Sequence, residues 1–97
     1  MQNHNYYIYI VTNITRTVLY TGVTNDLGRR IQAHFENRGK PKTFAGRYNC
    51  NILIYWERFP SITVAIDREK EIKKYSRTRK EALIAKLNPN WERLDSE

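Results

Sequence analysis

The sequence predicts an α/β chain of the α+β type: a three-stranded antiparallel sheet covered by helices, in the order β-β-α-β-α-α. Three observations predict it. The segments YYIYIVT, VLYTGVT and NILIYWERF are rich in β-branched and aromatic residues, as strands are. The first two are joined by only NITRT, short enough for a hairpin. The stretches that follow the second and third strands carry apolar residues at helical spacing.

The elements follow in order. In the first strand, residues 6 to 12, successive side chains alternate between faces. Tyr7 and Tyr9 therefore point one way, Ile8 and Ile10 the other. In the second strand, residues 18 to 24, Tyr20, Gly22 and Thr24 share a face. A hairpin brings the hydroxyls of Tyr9 and Tyr20 near one another, and Gly22 marks a place where something can approach the backbone. Thr24, Asn25 and Asp26 are good N-caps. Leu27, Ile31, His34 and Phe35 recur at helical spacing, predicting a helix from about residue 26 to 37.

Residues 37 to 49, NRGKPKTFAGRYN, read as a basic loop with two glycines and a proline. Residues 51 to 59 form the third strand, and its nearly continuous apolar run predicts a central, well-covered position. Pro60 and Ser61 end it. A second helix runs from about residue 63 to 75, with Ala65, Ile66, Glu69, Ile72 and Tyr75 near one face. After a break at Ser76 to Thr78, TRKE fits a capping box between Thr78 and Glu81. That box opens a third helix through about Leu87, which NPNW stops. Three strands are too few to stand alone, so helix packing must complete the core.

The chain has 97 residues, enough for one domain spanning 1–97 with one modest core. No internal repeat, linker or low-complexity segment divides it. Hydrophobic residues make up 40%, which excludes a wholly disordered chain. No apolar run approaches the roughly 18 residues of a membrane span. The start MQNHNYY lacks the basic and apolar regions of a signal peptide, so a cytoplasmic location is expected. Cys50 is the single cysteine, so no internal disulfide forms. Its setting, YNCNILIYW, reads as a small core residue. Two histidines and one cysteine cannot build a conventional zinc site.

Charge is the first functional clue. Seventeen Lys and Arg against ten Asp and Glu leave a net +7, a field that attracts polyanions. The charge is gathered: the first 28 residues hold one basic residue, Arg16, whereas REKEIKKYSRTRK, residues 68 to 80, holds seven. Lys42, Arg47, Lys73, Lys74, Arg77 and Arg79 are candidate phosphate contacts. Phe44, Tyr48 and Trp56 are candidates to stack on unpaired bases, with core packing the stronger reading for Trp56.

One set of residues asks for more. Arg30 and His34 lie one helical turn apart and project together. Glu69 borders the apolar stripe of the second helix, an odd place for an acid without a partner. Each has an ordinary reading as well. Tyr9 and Tyr20 can be sheet residues, Arg30 and His34 a solvated face, and Glu69 the i, i+4 partner of Lys73. On the residues alone, nucleic-acid binding is preferred over catalysis.

Taken together the residues resemble a GIY-YIG nuclease domain, in particular its small stand-alone bacterial branch. They are also similar to the catalytic module of the excinuclease C subunit and of some homing endonucleases. The first motif stands as Tyr7-Ile8-Tyr9, with tyrosine where the name-giving glycine falls, and the second as Tyr20-Thr21-Gly22. Arg30 follows ten residues after Tyr20, and His34 four after that. Glu69, in AIDREKEIKKYSRTRKEALI, matches the family's metal-binding glutamate. LNPNW fits the branch, and Asn88 matches a polar position there. The resemblance covers nearly the whole chain.

That resemblance implies phosphodiester hydrolysis with one divalent ion, Mg²⁺ or Mn²⁺, held by Glu69. It implies that Arg30 neutralises the scissile phosphate, that Tyr20 positions or deprotonates water, that Tyr9 supports by hydrogen bonding, and that His34 relays a proton or orients the phosphate. The expected partner is nucleic acid, DNA before RNA, with no membrane and no small-molecule cofactor, acting as a monomer or weak dimer. With no appended DNA-binding domain, low sequence specificity is expected, in DNA repair or the processing of foreign DNA. The alternative is a non-catalytic basic nucleic-acid-binding module.

Overall fold

A computed structural model describes residues 4–95. Residues 1–3, part of the start argued above to lack a signal-peptide pattern, and residues 96–97, the end of the expected domain, lie outside the described residues. The strands are β1 (Tyr6–Thr12), β2 (Leu19–Thr24) and β3 (Ile52–Phe59). The helices are α1 (Leu27–Glu36), α2 (Phe44–Arg47), α3 (Ile62–Lys73) and α4 (Arg77–Leu87). The sheet is antiparallel with strand order β2-β1-β3. The expected order therefore holds, with one short helix, α2, added inside the basic loop.

β1 is the central strand, and this corrects the reading of β3 as central. β3 is an edge strand whose run is apolar because both its faces and its outer edge are covered. Ile8 and Ile10 cluster with Ile52, Ile54 and Tyr55 beneath Ala65 and Ile72 of α3 and Ile84 of α4. On the other face Tyr9, Val11 and Leu53 cluster with Leu27 of α1, Ala45 of α2 and Cys50. Fully burying an Ile or Leu side chain is worth about 1.5–3 kcal/mol, so these two clusters supply most of the drive to fold. The outer edge of β3 is closed by the C-terminal segment. Leu94 N–H donates to Leu53 O at 2.8 Å, and the Asn88 amide donates to Ile54 O at 3.0 Å.

A β-bulge fixes which way the end of β3 faces. Ile10 pairs with Tyr55 and Val11 with Leu53, so Ile54 is the extra residue. Beyond it the phase is reset: Trp56 joins the Tyr9 face and Glu57 the helix α3 face. There Glu57 accepts from Arg68 at both carboxylate oxygens, each at 2.8 Å, and from the Tyr55 hydroxyl. Burial alone would raise the Glu57 pKa, but these donors more than reverse it and hold the carboxyl below its usual range.

Caps set the helix starts. Asp26, Thr43, Ser61 and Ser76 each accept from the backbone N–H three residues on. The last of these corrects the capping box expected at Thr78. Ser76 is in extended conformation and α4 begins at Arg77, so Thr78 is already helical. Glu81 binds Arg77 at 3.0 Å instead.

Candidate active site

The site begins with Gly22. Tyr9 lies opposite Gly22 in the β1–β2 register, and its ring runs across the glycine. A Cβ on Gly22 would lie 2.6 Å from Tyr9 Cζ and collide with the hydroxyl as well. The close approach read from the sequence is therefore made by Tyr9 itself. The ring is fully buried, and its hydroxyl shares a 2.8 Å hydrogen bond with His34 Nε2. In the tautomer with hydrogen on Nδ1, His34 accepts the Tyr9 O–H.

Tyr20 completes a ring triangle. Its centroid is 6.5 Å from Tyr9 and 5.6 Å from His34, while Tyr9 and His34 are also 5.6 Å apart. The outer face of Tyr20 stacks on Phe44 of α2, at 6.2 Å and 26°. Arg30, one turn before His34 on α1, is exposed between two clefts. One, of about 260 Å³, is lined by Tyr20, Arg30, Ala33, His34, Asn37, Thr43 and Ala45. The other, of about 310 Å³, runs along Thr24 to Asp26, Arg29 and Arg30.

Burial pushes the Tyr9 phenol up to about 12, with Tyr20 adding to the rise and the Arg30 charge offsetting part of it. Tyr9 thus keeps its proton at neutral pH and serves as a hydrogen-bonding group, not a base. Burial first, and then the Arg30 charge, push His34 below its ordinary value, so its ring is neutral at neutral pH.

Glu69 comes from α3, the helix over the opposite face. Its negative charge is near enough to contribute to the raised pKa of Tyr9. The side chain is 14% exposed, and Oε2 pairs with Lys73 Nζ at 3.2 Å. Among the described residues no three His, Cys, Asp or Glu side chains gather as a metal cage. One carboxylate with a second oxygen, Oε1, outside that pair suits an ion that keeps most of its waters, as Mg²⁺ does. It does not suit a closed zinc site.

Four of the five candidates thus meet, Tyr9, Tyr20 and His34 in ring contact and Arg30 beside them on the cleft, while Glu69 stands on α3 and pairs with Lys73. The six basic candidates do not share one face. Lys42 precedes α2 and Arg47 is its last residue, and both are exposed. Lys73 is held by Glu69, and Lys74 is exposed where α3 ends. Arg77 is committed to Thr17 O, Arg16 O and Glu81, and Arg79 lies over the Tyr75 ring at 4.0 Å. Asn37 and Thr43 line the cleft, and the reading of the sequence left them out. Thr43 is a competent N-cap residue, but the four residues after it carry no helical period that would have singled it out.

Fold and site define a small α+β domain with a basic, tyrosine-lined cleft. A family model, the GIY-YIG catalytic domain, matches residues 5–82. A UPF0213 protein of Natronomonas pharaonis is 40% identical over 81 residues, covering 84% of this chain and 92% of its own. One from Staphylococcus haemolyticus is 38% identical over 79 residues, covering 81% and 93%. The solution NMR structure of a UPF0213 protein from Bacillus halodurans aligns with a TM-score of 0.57 at 35% identity, over 92% of both chains. The chain belongs to the GIY-YIG family, a nuclease superfamily whose substrates are nucleic acids.

Proposed function

We propose that this protein is a divalent-metal-dependent endonuclease that hydrolyses DNA phosphodiester bonds with low sequence specificity. The observation that carries the reading is the convergence of Tyr20, Arg30 and His34 on one cleft wall, with buried Tyr9 hydrogen-bonded to His34 behind it. Glu69 would hold Mg²⁺ or Mn²⁺, and that ion supplies Lewis acidity at the phosphate and the leaving oxygen. Arg30, exposed beside the cleft, binds the non-bridging phosphate oxygens with its guanidinium fork. Tyr20 presents its hydroxyl at the cleft and orients the attacking water. Tyr9 keeps its proton and, through His34, fixes the ring against which Tyr20 rests.

The net charge of +7 supports a polyanionic substrate. A cytoplasmic role in DNA repair or in processing foreign DNA, as a monomer or weak dimer, goes with this reading. The test is single-turnover cleavage of end-labelled DNA in Mg²⁺ by wild type, Tyr20→Phe and Arg30→Ala. Each substitution is expected to slow cutting by about 10²–10⁴-fold. Rates within twofold of wild type would remove both residues from the reaction.

A further inference from the structure

Phe44 and Tyr48 are exposed aromatic side chains that belong to neither core cluster. Phe44 is 49% exposed and Tyr48 43%, and their rings meet at 4.8 Å. Both belong to the α2 segment, held rigidly against the end of α1. Gly46 N–H binds Thr43 Oγ1 at 3.0 Å, and a Cβ on Gly46 would strike Asn37 O and Lys40 O. Phe44 in turn stacks on Tyr20, so the aromatic surface runs without a break from the candidate site to the tip of Tyr48. The segment that carries them is basic: Lys40, Lys42 and Arg47 are exposed, and the sequence has no acidic residue between Glu36 and Glu57.

We propose that Phe44 and Tyr48 form a stacking platform for an unpaired nucleobase next to the phosphate that lies at Tyr20 and Arg30. Exposed rings set among cations suit a nucleic acid better than an apolar protein partner. The rings supply π-faces, and Lys40, Lys42 and Arg47 meet the backbone on either side. A duplex keeps its base faces stacked inside, so the platform selects single-stranded or locally unpaired substrate. The inference deepens the nuclease reading and rests on it for which bond is cut, though the binding itself needs no cleavage.

The experiment measures anisotropy of a labelled oligonucleotide on the Glu69→Ala protein in EDTA, where cutting is blocked. Three probes are compared: a single strand, its duplex, and the same strand with abasic sites. Phe44→Leu and Tyr48→Leu, added singly, are expected to weaken single-strand binding about tenfold, in line with one lost base–aromatic stack. Duplex and abasic binding should change less than twofold. Tyr48 does not touch Tyr20, so its variant reports the platform even if Phe44→Leu disturbs the site. Circular dichroism checks that both fold. Equal loss on all three probes, or no loss on any, overturns the platform, as does an abasic strand bound by the parent as tightly as the natural one. Base-dependent binding in a wild type that cuts nothing in Mg²⁺ or Mn²⁺ would uphold the platform and sink the nuclease reading instead.

Discussion

Gly22 and Tyr9 share one volume, and neither tolerates change in the other. A Cβ at position 22 overlaps the Tyr9 phenol, so Gly22→Ala is expected to destabilise the fold by about 1–3 kcal/mol, measured by urea unfolding. It should also break the Tyr9–His34 bond. His34 carries a pH prediction. Its native pKa is lowered, so as pH falls through that window the unfolded chain takes up the proton first. The His34 contribution to stability is therefore complete above the unfolded value of about 6.5 and is lost as pH falls through the native one. Urea melts from pH 8 to 5 should show wild type losing more stability than His34→Gln. Much of this was legible in the sequence. The resemblance to the GIY-YIG pattern marked Tyr9, Tyr20, Arg30, His34 and Glu69 as candidates, and Gly22 marked a close approach. That the approaching group is Tyr9 was not legible, because it depends on a cross-strand register.

At the scale of elements, the strand that depends most on its cover is β3, an apolar strand on the edge of its sheet. Asn88 holds its cover in place. It is buried, donates to Ile54 O and Glu92 O, and accepts from Glu92 N–H. Asn88→Ala is expected to cost about 1–3 kcal/mol, by leaving Ile54 O and the Glu92 amide unpaired. Hydrogen exchange should then quicken at Leu94, whose N–H closes on Leu53 O. The sequence misplaced β3 for a physical reason. Every residue from Ile52 to Trp56 is apolar, so alternation has no phase there and cannot reveal the bulge at Ile54. α2 was hidden because four residues, one a glycine, carry no helical period. Ser76 and Thr78 are both competent caps, and only the chain's path out of α3 selects the first.

At the scale of the whole molecule, the sheet is a partition with different tasks on its two faces. α3 and α4 on one face build most of the apolar core. α1 and α2 on the other frame the tyrosine-lined cleft and carry Arg30, His34 and the exposed aromatics. The net charge of +7 on the whole chain suits a polyanionic substrate. The most direct measurement is cleavage of end-labelled single-stranded and duplex DNA by wild type and by Glu69→Ala, in Mg²⁺, in Mn²⁺ and in EDTA, with circular dichroism to confirm both fold. The account predicts cutting by wild type alone, only with a divalent ion. Equal cutting by both proteins, or none by wild type with either ion, would contradict it.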